Sequence, residues 1–62
     1  MIHAEFTYLE LGRRLEEAPS FKHFEAVMSD IHTKVEAEHA DERNNAYYLI
    51  ERGRKEIRET RR

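Results

Sequence analysis

The lack of cysteine in a chain of only 62 residues is the sequence feature that most constrains its fold. A single core of this size rarely supplies more than about 3–5 kcal/mol, so small domains usually depend on disulfides, a structural metal or oligomerisation. Disulfides and thiolate zinc sites are excluded here. The sequence therefore predicts association with another chain, and a homo-oligomer, with a dimer as first choice, is the expected state.

Charged residues make up 39% of the chain, but the formal net charge is only -2 and the apolar residues recur at regular spacings. Such spacings indicate an ordered chain rather than a disordered one. No apolar run is long enough for a signal peptide or a membrane-spanning helix. We therefore expect a soluble, cytoplasmic protein with no membrane partner.

The single proline, Pro19, and the serine after it separate two segments with helical periodicity. Proline disfavours helical backbone at the preceding residue, and Ser20 has a side chain suited to a helix N-cap. We expect helix 1 at about residues 3–17, a turn at 18–20 and a second helix from about residue 21. Five residues of helix 1 follow a heptad spacing and are predicted to face inward: Ala4, Tyr8, Leu11, Leu15 and Ala18.

A second apolar stripe on helix 1, formed by Ile2, Phe6 and Leu9, lies on roughly the opposite side. One hairpin cannot cover both sides, which again indicates a partner chain. The first nine residues also alternate at the period of a strand. Good helix formers through residue 18 favour the helix over the strand, with Gly12 as a weak point.

The segment after the turn has no further proline and is predicted to form one long helix at about residues 21–58. Its apolar positions are Phe21, Phe24, Val27, Met28, Ile31 and Val35, and then Ala46, Leu49, Ile50 and Ile57. Such a helix of about 35 residues is about 50 Å long, whereas helix 1 covers about 25 Å. We therefore predict an all-α helical hairpin that dimerises as a four-helix-type bundle. The alternative is a three-helix fold with a break near residues 39–45.

Four polar residues interrupt the apolar face of the second helix: Glu38, His39, Glu42 and Asn45. Buried polar groups are costly unless they are paired, so these residues could face solvent, fix the register against a partner, bind a metal or mark a helix break. We favour the structural explanations, because buried polar layers commonly specify pairing.

Glu36 and His39 form a Glu-x-x-His motif, and His32 lies one turn before Glu36. These spacings place the three side chains on one flank of a continuous helix. The motif resembles that of the ferritin-like di-iron proteins, which combine it with a Glu from another helix. An oligomeric metal-carboxylate bundle that holds iron or zinc is therefore an alternative, although so short a motif is common by chance. Otherwise no cofactor is expected.

The C-terminal segment at residues 52–62 is basic. From Glu51 to the end the chain carries six basic and three acidic residues, whereas the first fifty residues carry five basic and ten acidic ones. The candidate nucleic-acid contacts are Arg54, Lys55, Arg58, Arg61 and Arg62. We favour the simpler interpretation that these residues complement the negative end of a helix, since the interspersed glutamates repel phosphates. Binding of nucleic acid remains an alternative.

Two adjacent tyrosines, Tyr47 and Tyr48, precede Leu49 and Ile50. Consecutive helical residues lie about 100° apart, so at least one of the tyrosines should be exposed or held by a partner. Tyrosine beside arginine is typical of interface hot spots. The predicted partner-binding set is Arg43, Tyr47, Tyr48 and Arg52.

No pattern in the sequence is typical of a catalytic centre, so we expect no enzyme. In size, charge and architecture the chain resembles small helical regulators such as phage-encoded inhibitors and antitoxins, a resemblance of form alone. The leading hypothesis is a protein-binding regulator or inhibitor that occupies a surface of a larger partner.

Overall fold

Three α-helices make up most of residues 4–61, the part of the chain that the computed structural model describes, with side chains described from Thr7 onward. The helices are α1 at Ala4–Glu16, α2 at Phe21–Glu36 and α3 at Ala40–Thr60. Residues 4–61 contain no strand, so the all-α prediction is confirmed and α1 is a helix from Ala4. The side chains of Ile2, Ala4 and Phe6, for which packing was predicted, lie outside the described residues.

The predicted turn between the first two helices is confirmed. Ser20 has extended backbone, and its hydroxyl accepts a hydrogen bond from the backbone N–H of His23 at 3.2 Å. This contact satisfies one of the amide groups that a helix start leaves without an intrahelical partner. Pro19 and Ser20 thus set where α2 begins.

The predicted two-helix hairpin, with one helix at residues 21–58, is wrong. α2 ends at Glu36, and α3 begins at Ala40 and folds back along the bundle. The protein is 34 Å in its longest dimension, shorter than the roughly 50 Å of the predicted long helix. Folding back lets the apolar residues of α3 pack within their own chain. The three-helix alternative is confirmed, with the break at residues 37–39, at the N-terminal edge of the predicted range.

The break is held by hydrogen bonds on both sides. The backbone N–H of Glu38 donates to the carbonyl of Val35 at 3.1 Å, which tightens the last turn of α2. Arg43 Nε donates to the carbonyl of Glu38 at 3.0 Å. At the start of α3 the backbone of His39 is extended, and Asp41 and Glu42 place negative charge in the first turn, where the helix dipole favours it.

The core lies where the three helices meet. It contains nine apolar residues that are at most 5% exposed: Tyr8, Leu11, Leu15, Val27, Ile31, Val35, Ala46, Leu49 and Ile50. Leu9, which was assigned to an outer stripe, is half-buried and packs against this core. The fold-back therefore covers within one chain much of the surface for which a partner chain was predicted.

The backbones of α1 and α3 approach closely at two glycines. A Cβ atom on Gly12 would overlap the carbonyl oxygen of Ile50 and lie 3.0 Å from its Cα atom. A Cβ atom on Gly53 would overlap the carbonyl oxygen of Leu9 and lie 3.0 Å from the backbone nitrogen of Arg13. Only glycine allows two helix backbones to approach so closely. Gly12, predicted as a weak point of helix 1, is therefore a packing residue.

α1 and α3 run in the same direction. Tyr8, in the first half of α1, contacts Glu38 just before α3, whereas Glu16, at the end of α1, contacts Arg54 in the second half of α3. Arg13 also joins the two helices, donating to Glu56 Oε1 from Nε at 3.0 Å and from Nη2 at 2.7 Å. α2 therefore runs antiparallel to both.

Within the described ranges, none of the helices has the length and apolar character needed to cross a membrane.

Candidate functional site

The most conspicuous surface of the protein is an exposed apolar flank of α2. Phe21, Phe24 and Met28 are 73%, 39% and 40% exposed, and we call these three residues the α2 apolar face. Their spacing of three and four residues places them along one side of the helix. Large exposed apolar side chains that form a contiguous patch commonly mark binding sites.

The other helices cover only part of the apolar side of α2, which the sequence predicts from six residues. Only Val27, Ile31 and Val35 are buried. The apolar stripe of α2 is wider than the surface that the other helices cover, because α2 packs against α1 and α3 much less extensively than α1 and α3 pack against each other. Its outer edge is left to solvent.

The α2 apolar face is locally ordered. The rings of Phe21 and Phe24 stack with a centroid separation of 6.5 Å and an interplanar angle of 9°. Glu25, Ser29 and His32 line one shallow depression together with the face. A second depression is lined by the two phenylalanines together with Ala18 and Ser20 at the turn. A partner that bound here would contact apolar rings surrounded by polar and charged side chains, which is the usual composition of a protein interface.

Both tyrosines of the predicted partner-binding set are exposed, Tyr47 by 50% and Tyr48 by 63%, so the expectation that at least one lies outside the core is confirmed. Tyr48 and Arg52 line one open groove on the outer side of α3. Arg43 instead donates to the carbonyl of Glu38, and its role is to hold the helix break. Partner binding by these four residues stays a prediction.

The residues of the predicted metal motif do not share one helix. His32 lies on α2, Glu36 is the last residue of α2, and His39 is the last residue of the break and the N-cap of α3. The premise that Glu36 and His39 are one turn apart on a continuous helix is therefore wrong. The described side chains, from Thr7 to Arg61, contain no group of three His, Asp or Glu residues placed to hold a metal ion.

The four polar residues that interrupt the apolar pattern lie at the break. Glu38 is half-buried, whereas His39, Glu42 and Asn45 are exposed. Tyr8 donates its hydroxyl to Glu38 Oε1 at 2.9 Å and lies 3.4 Å from the carbonyl of Lys34. Hydrogen bonds with Glu42 and Tyr8 lower the pKa of Glu38, and the hydrogen bond with Glu38 raises the pKa of Glu42. Glu38 thus connects the junction to α1, and the four residues do not form a buried layer.

Burial, and then the hydrogen bond with Glu38, raise the pKa of Tyr8 from 10.0 to about 12. A raised pKa means that folding favours the protonated phenol, so this stabilisation is complete below pH 10 and is lost as the pH rises towards about 12.

We expect near-ultraviolet absorbance titration to show one phenol ionising near pH 12 in the wild type and not in Tyr8→Phe. Ionisation of Tyr8 at its ordinary pKa would contradict the contact with Glu38.

Three arginines predicted to contact nucleic acid converge on Glu16 at the end of α1. Arg54 Nε lies 3.0 Å from Glu16 Oε1, and Arg58 Nε lies 3.9 Å from Glu16 Oε2. Arg61 Nη2 donates to the carbonyl of Glu16 at 2.9 Å and so caps α1. The Glu16 side chain is only 16% exposed, and its hydrogen bond raises the pKa of Arg54.

These contacts tie the basic segment to its own chain. Lys55 is exposed on α3, and Arg62 lies outside the described residues. The arginines stabilise a helix end, as the simpler interpretation of the segment requires. Nucleic-acid binding stays a prediction. Fewer basic side chains are free to contact phosphates than the sequence implies.

Comparison with protein-family models, with curated proteins and with solved structures gives no match. The functional conclusion therefore depends on the surfaces of this chain. The sequence pattern did not identify the α2 apolar face, although Phe21 and Phe24 are conspicuous at the start of a helix. The sequence signal that could have indicated their exposure is their position beside the turn, where α1 ends and covers little of α2.

Proposed function

We propose that the protein is a helical protein-binding regulator or inhibitor, without catalytic activity of its own, that acts through contact with other protein chains. In this proposal another protein chain covers the α2 apolar face. The outer side of α3 around Tyr48 and Arg52 contacts a larger target. Self-association, first of all as a dimer, is part of the proposal.

The observation that supports this proposal most is the α2 apolar face itself. The single chain already buries nine core residues, so Phe21, Phe24 and Met28 are not needed to fill its interior. Exposing them in water carries a free-energy cost and a risk of aggregation that a partner chain would remove. Aromatic residues are also enriched among those that dominate binding energy at interfaces.

The outer side of α3 supports the second contact. Tyr48 and Arg52 line one groove with charged residues of both signs, among them Glu51 and Lys55. Tyrosine and arginine combine a large contact area with directional hydrogen bonding. A surface of this kind suits a polar protein target, whereas a phosphate backbone would be repelled by its glutamates.

Site-specific photo-cross-linking in cells that naturally make the protein tests the proposal. We expect p-benzoylphenylalanine at position 21 or position 48 to give covalent adducts with protein chains, and mass spectrometry to identify them. The matched control is the same photo-reactive residue at position 30, because Asp30 is also exposed and lies on the other side of α2.

Adducts at positions 21 and 48 no more abundant than those at position 30 would contradict the protein-binding function. Adducts at position 21 whose mass is twice that of the chain would identify a second copy. Adducts at position 48 with a larger protein would identify the target.

A further inference from the structure

We propose that the chain that covers the α2 apolar face is a second copy of this protein, with the two α2 helices packed antiparallel about a two-fold axis near Met28 and Ser29. The inference deepens the proposed function and rests on it. In such a symmetric pair each copy uses the same surface, so the face must be complementary to itself.

Charge complementarity is the first support for self-pairing. Lys22 lies seven residues before Ser29 and Glu36 lies seven residues after it, and Glu25 and His32 flank the same point at nearly equal distances. In an antiparallel pair, Lys22 of each copy therefore lies near Glu36 of the other. Glu25 of each copy lies near His32 of the other. A parallel pair would instead place like charges side by side, which is unfavourable.

These four polar side chains are free for such contacts. All four are exposed, and none forms an ion pair with another residue of the described range 7–61. Glu25 and His32 line the depression beside Phe21, Phe24 and Met28. Glu25 and His32 thus border the apolar rings, as a polar rim borders the centre of an interface.

The size of the face indicates how strong the pair is. With aromatic side chains of about 150–250 Å² each, the three residues expose on the order of 300 Å² of apolar surface. A standard interface buries about 800 Å² on each partner, so this pair belongs among weak, reversible contacts. Ser29 lines the depression beside the α2 apolar face, and its small side chain leaves room for a second helix. We therefore expect a concentration-dependent equilibrium between monomer and dimer.

Thiol cross-linking tests the position of the axis, because the natural chain contains no cysteine. We expect a short bifunctional maleimide to cross-link Ser29→Cys as a dimer at several times the yield of Asp30→Cys. Both positions are exposed on α2, but Asp30 faces away from the α2 apolar face. Equal yields from the two variants would overturn the inference, provided that circular dichroism shows both to be folded.

A charge reversal tests the antiparallel direction. Symmetry makes the change act at two exposed contacts of the dimer, so Glu25→Lys should weaken the dimer by about twofold to thirtyfold in sedimentation equilibrium. Combining Glu25→Lys with His32→Glu should restore the affinity. A double variant weaker than the single one would overturn the antiparallel pair.

The outcomes separate the two proposals. If cross-linking at position 29 equals that at position 30 while the photo-reactive residue at position 21 captures a different protein, self-pairing is overturned and protein binding stands. If positions 21 and 48 both capture nothing above the control at position 30, both proposals are overturned.

Discussion

Replacing Gly12 with alanine is expected to destabilise the protein by about 1–3 kcal/mol, the range for overpacking a close contact. In most helices the same change is stabilising by about 0.5–1 kcal/mol, because alanine loses less backbone freedom on folding. The sign is reversed here because an added Cβ would overlap the backbone of Ile50. A backbone atom cannot rotate away, so α1 and α3 would have to separate.

Urea denaturation of Gly12→Ala and Gly12→Leu measures this effect. We expect the free energy of unfolding to fall further for leucine than for alanine, and Gly53→Ala to behave like Gly12→Ala, since a Cβ there would overlap the backbone of Leu9. Asp30→Ala, a change on an exposed position of α2 away from the α2 apolar face, serves as the control for helix propensity. An increase in stability for Gly12→Ala would show that the two helices are not in close contact.

Replacing Ile31 with alanine is expected to cost about 2–5 kcal/mol, as is usual for a buried aliphatic side chain. Ile31 is 4% exposed, whereas Met28, three residues earlier, is 40% exposed. A core of this size supplies about 3–5 kcal/mol in total, so Ile31→Ala should leave much of the protein unfolded. Met28→Ala should change the free energy of unfolding by about 1 kcal/mol or less, because Met28 is partly exposed and is not one of the buried core residues.

Both variants are measured by thermal and urea denaturation at a protein concentration where the monomer predominates. The pair is matched, because each change removes a large apolar side chain from the same helix. Equal losses of stability would mean that Met28 lies in the core and that α2 has no free apolar face.

The turn and the inward side of α1 could be predicted because their signals are local. Proline followed by serine specifies a helix end and an N-cap whatever surrounds them. Tyr8, Leu11 and Leu15 share one stripe in any helical arrangement of the segment, and all three are buried.

The break between α2 and α3 was predicted only as an alternative, because the residues that most strongly indicate a helix end are missing there. Neither proline nor glycine lies between residues 36 and 40, and His39 caps α3 without a side-chain hydrogen bond. The remaining signals are the interrupted apolar pattern and the two acidic residues Asp41 and Glu42 in the first turn of α3. A continuous helix satisfies the same local preferences, so tertiary packing decides between the two.

The α2 apolar face could not be recognised from periodicity alone. Phe24 and Val27 are both apolar and belong to one stripe, and which of them is covered depends on where α1 and α3 lie. The importance of Gly12 likewise depends on a helix crossing that no local pattern encodes. The candidate site was therefore predicted in part: exposure of at least one tyrosine was anticipated, whereas the phenylalanines were placed on the apolar face of the second helix without a prediction that they are exposed.

The contacts of Glu16 change how the basic segment is understood. An arginine cluster that the sequence offers as a phosphate-binding stripe instead holds the ends of α1 and α3 together. Because these contacts are largely at the surface, each contributes little to stability by itself. Their main consequence is that fewer arginines remain free for a partner.

The central claim is that Phe21, Phe24 and Met28 are not part of the core and are covered by another protein chain. Heteronuclear NMR over a dilution series of the wild-type protein tests it most directly. We predict that amide and side-chain shifts change with concentration along residues 21–32, while those of the core residues in α1 and α3 stay constant. Shifts that are independent of concentration throughout α2, with the rings of Phe21 and Phe24 packed against core residues, would contradict it.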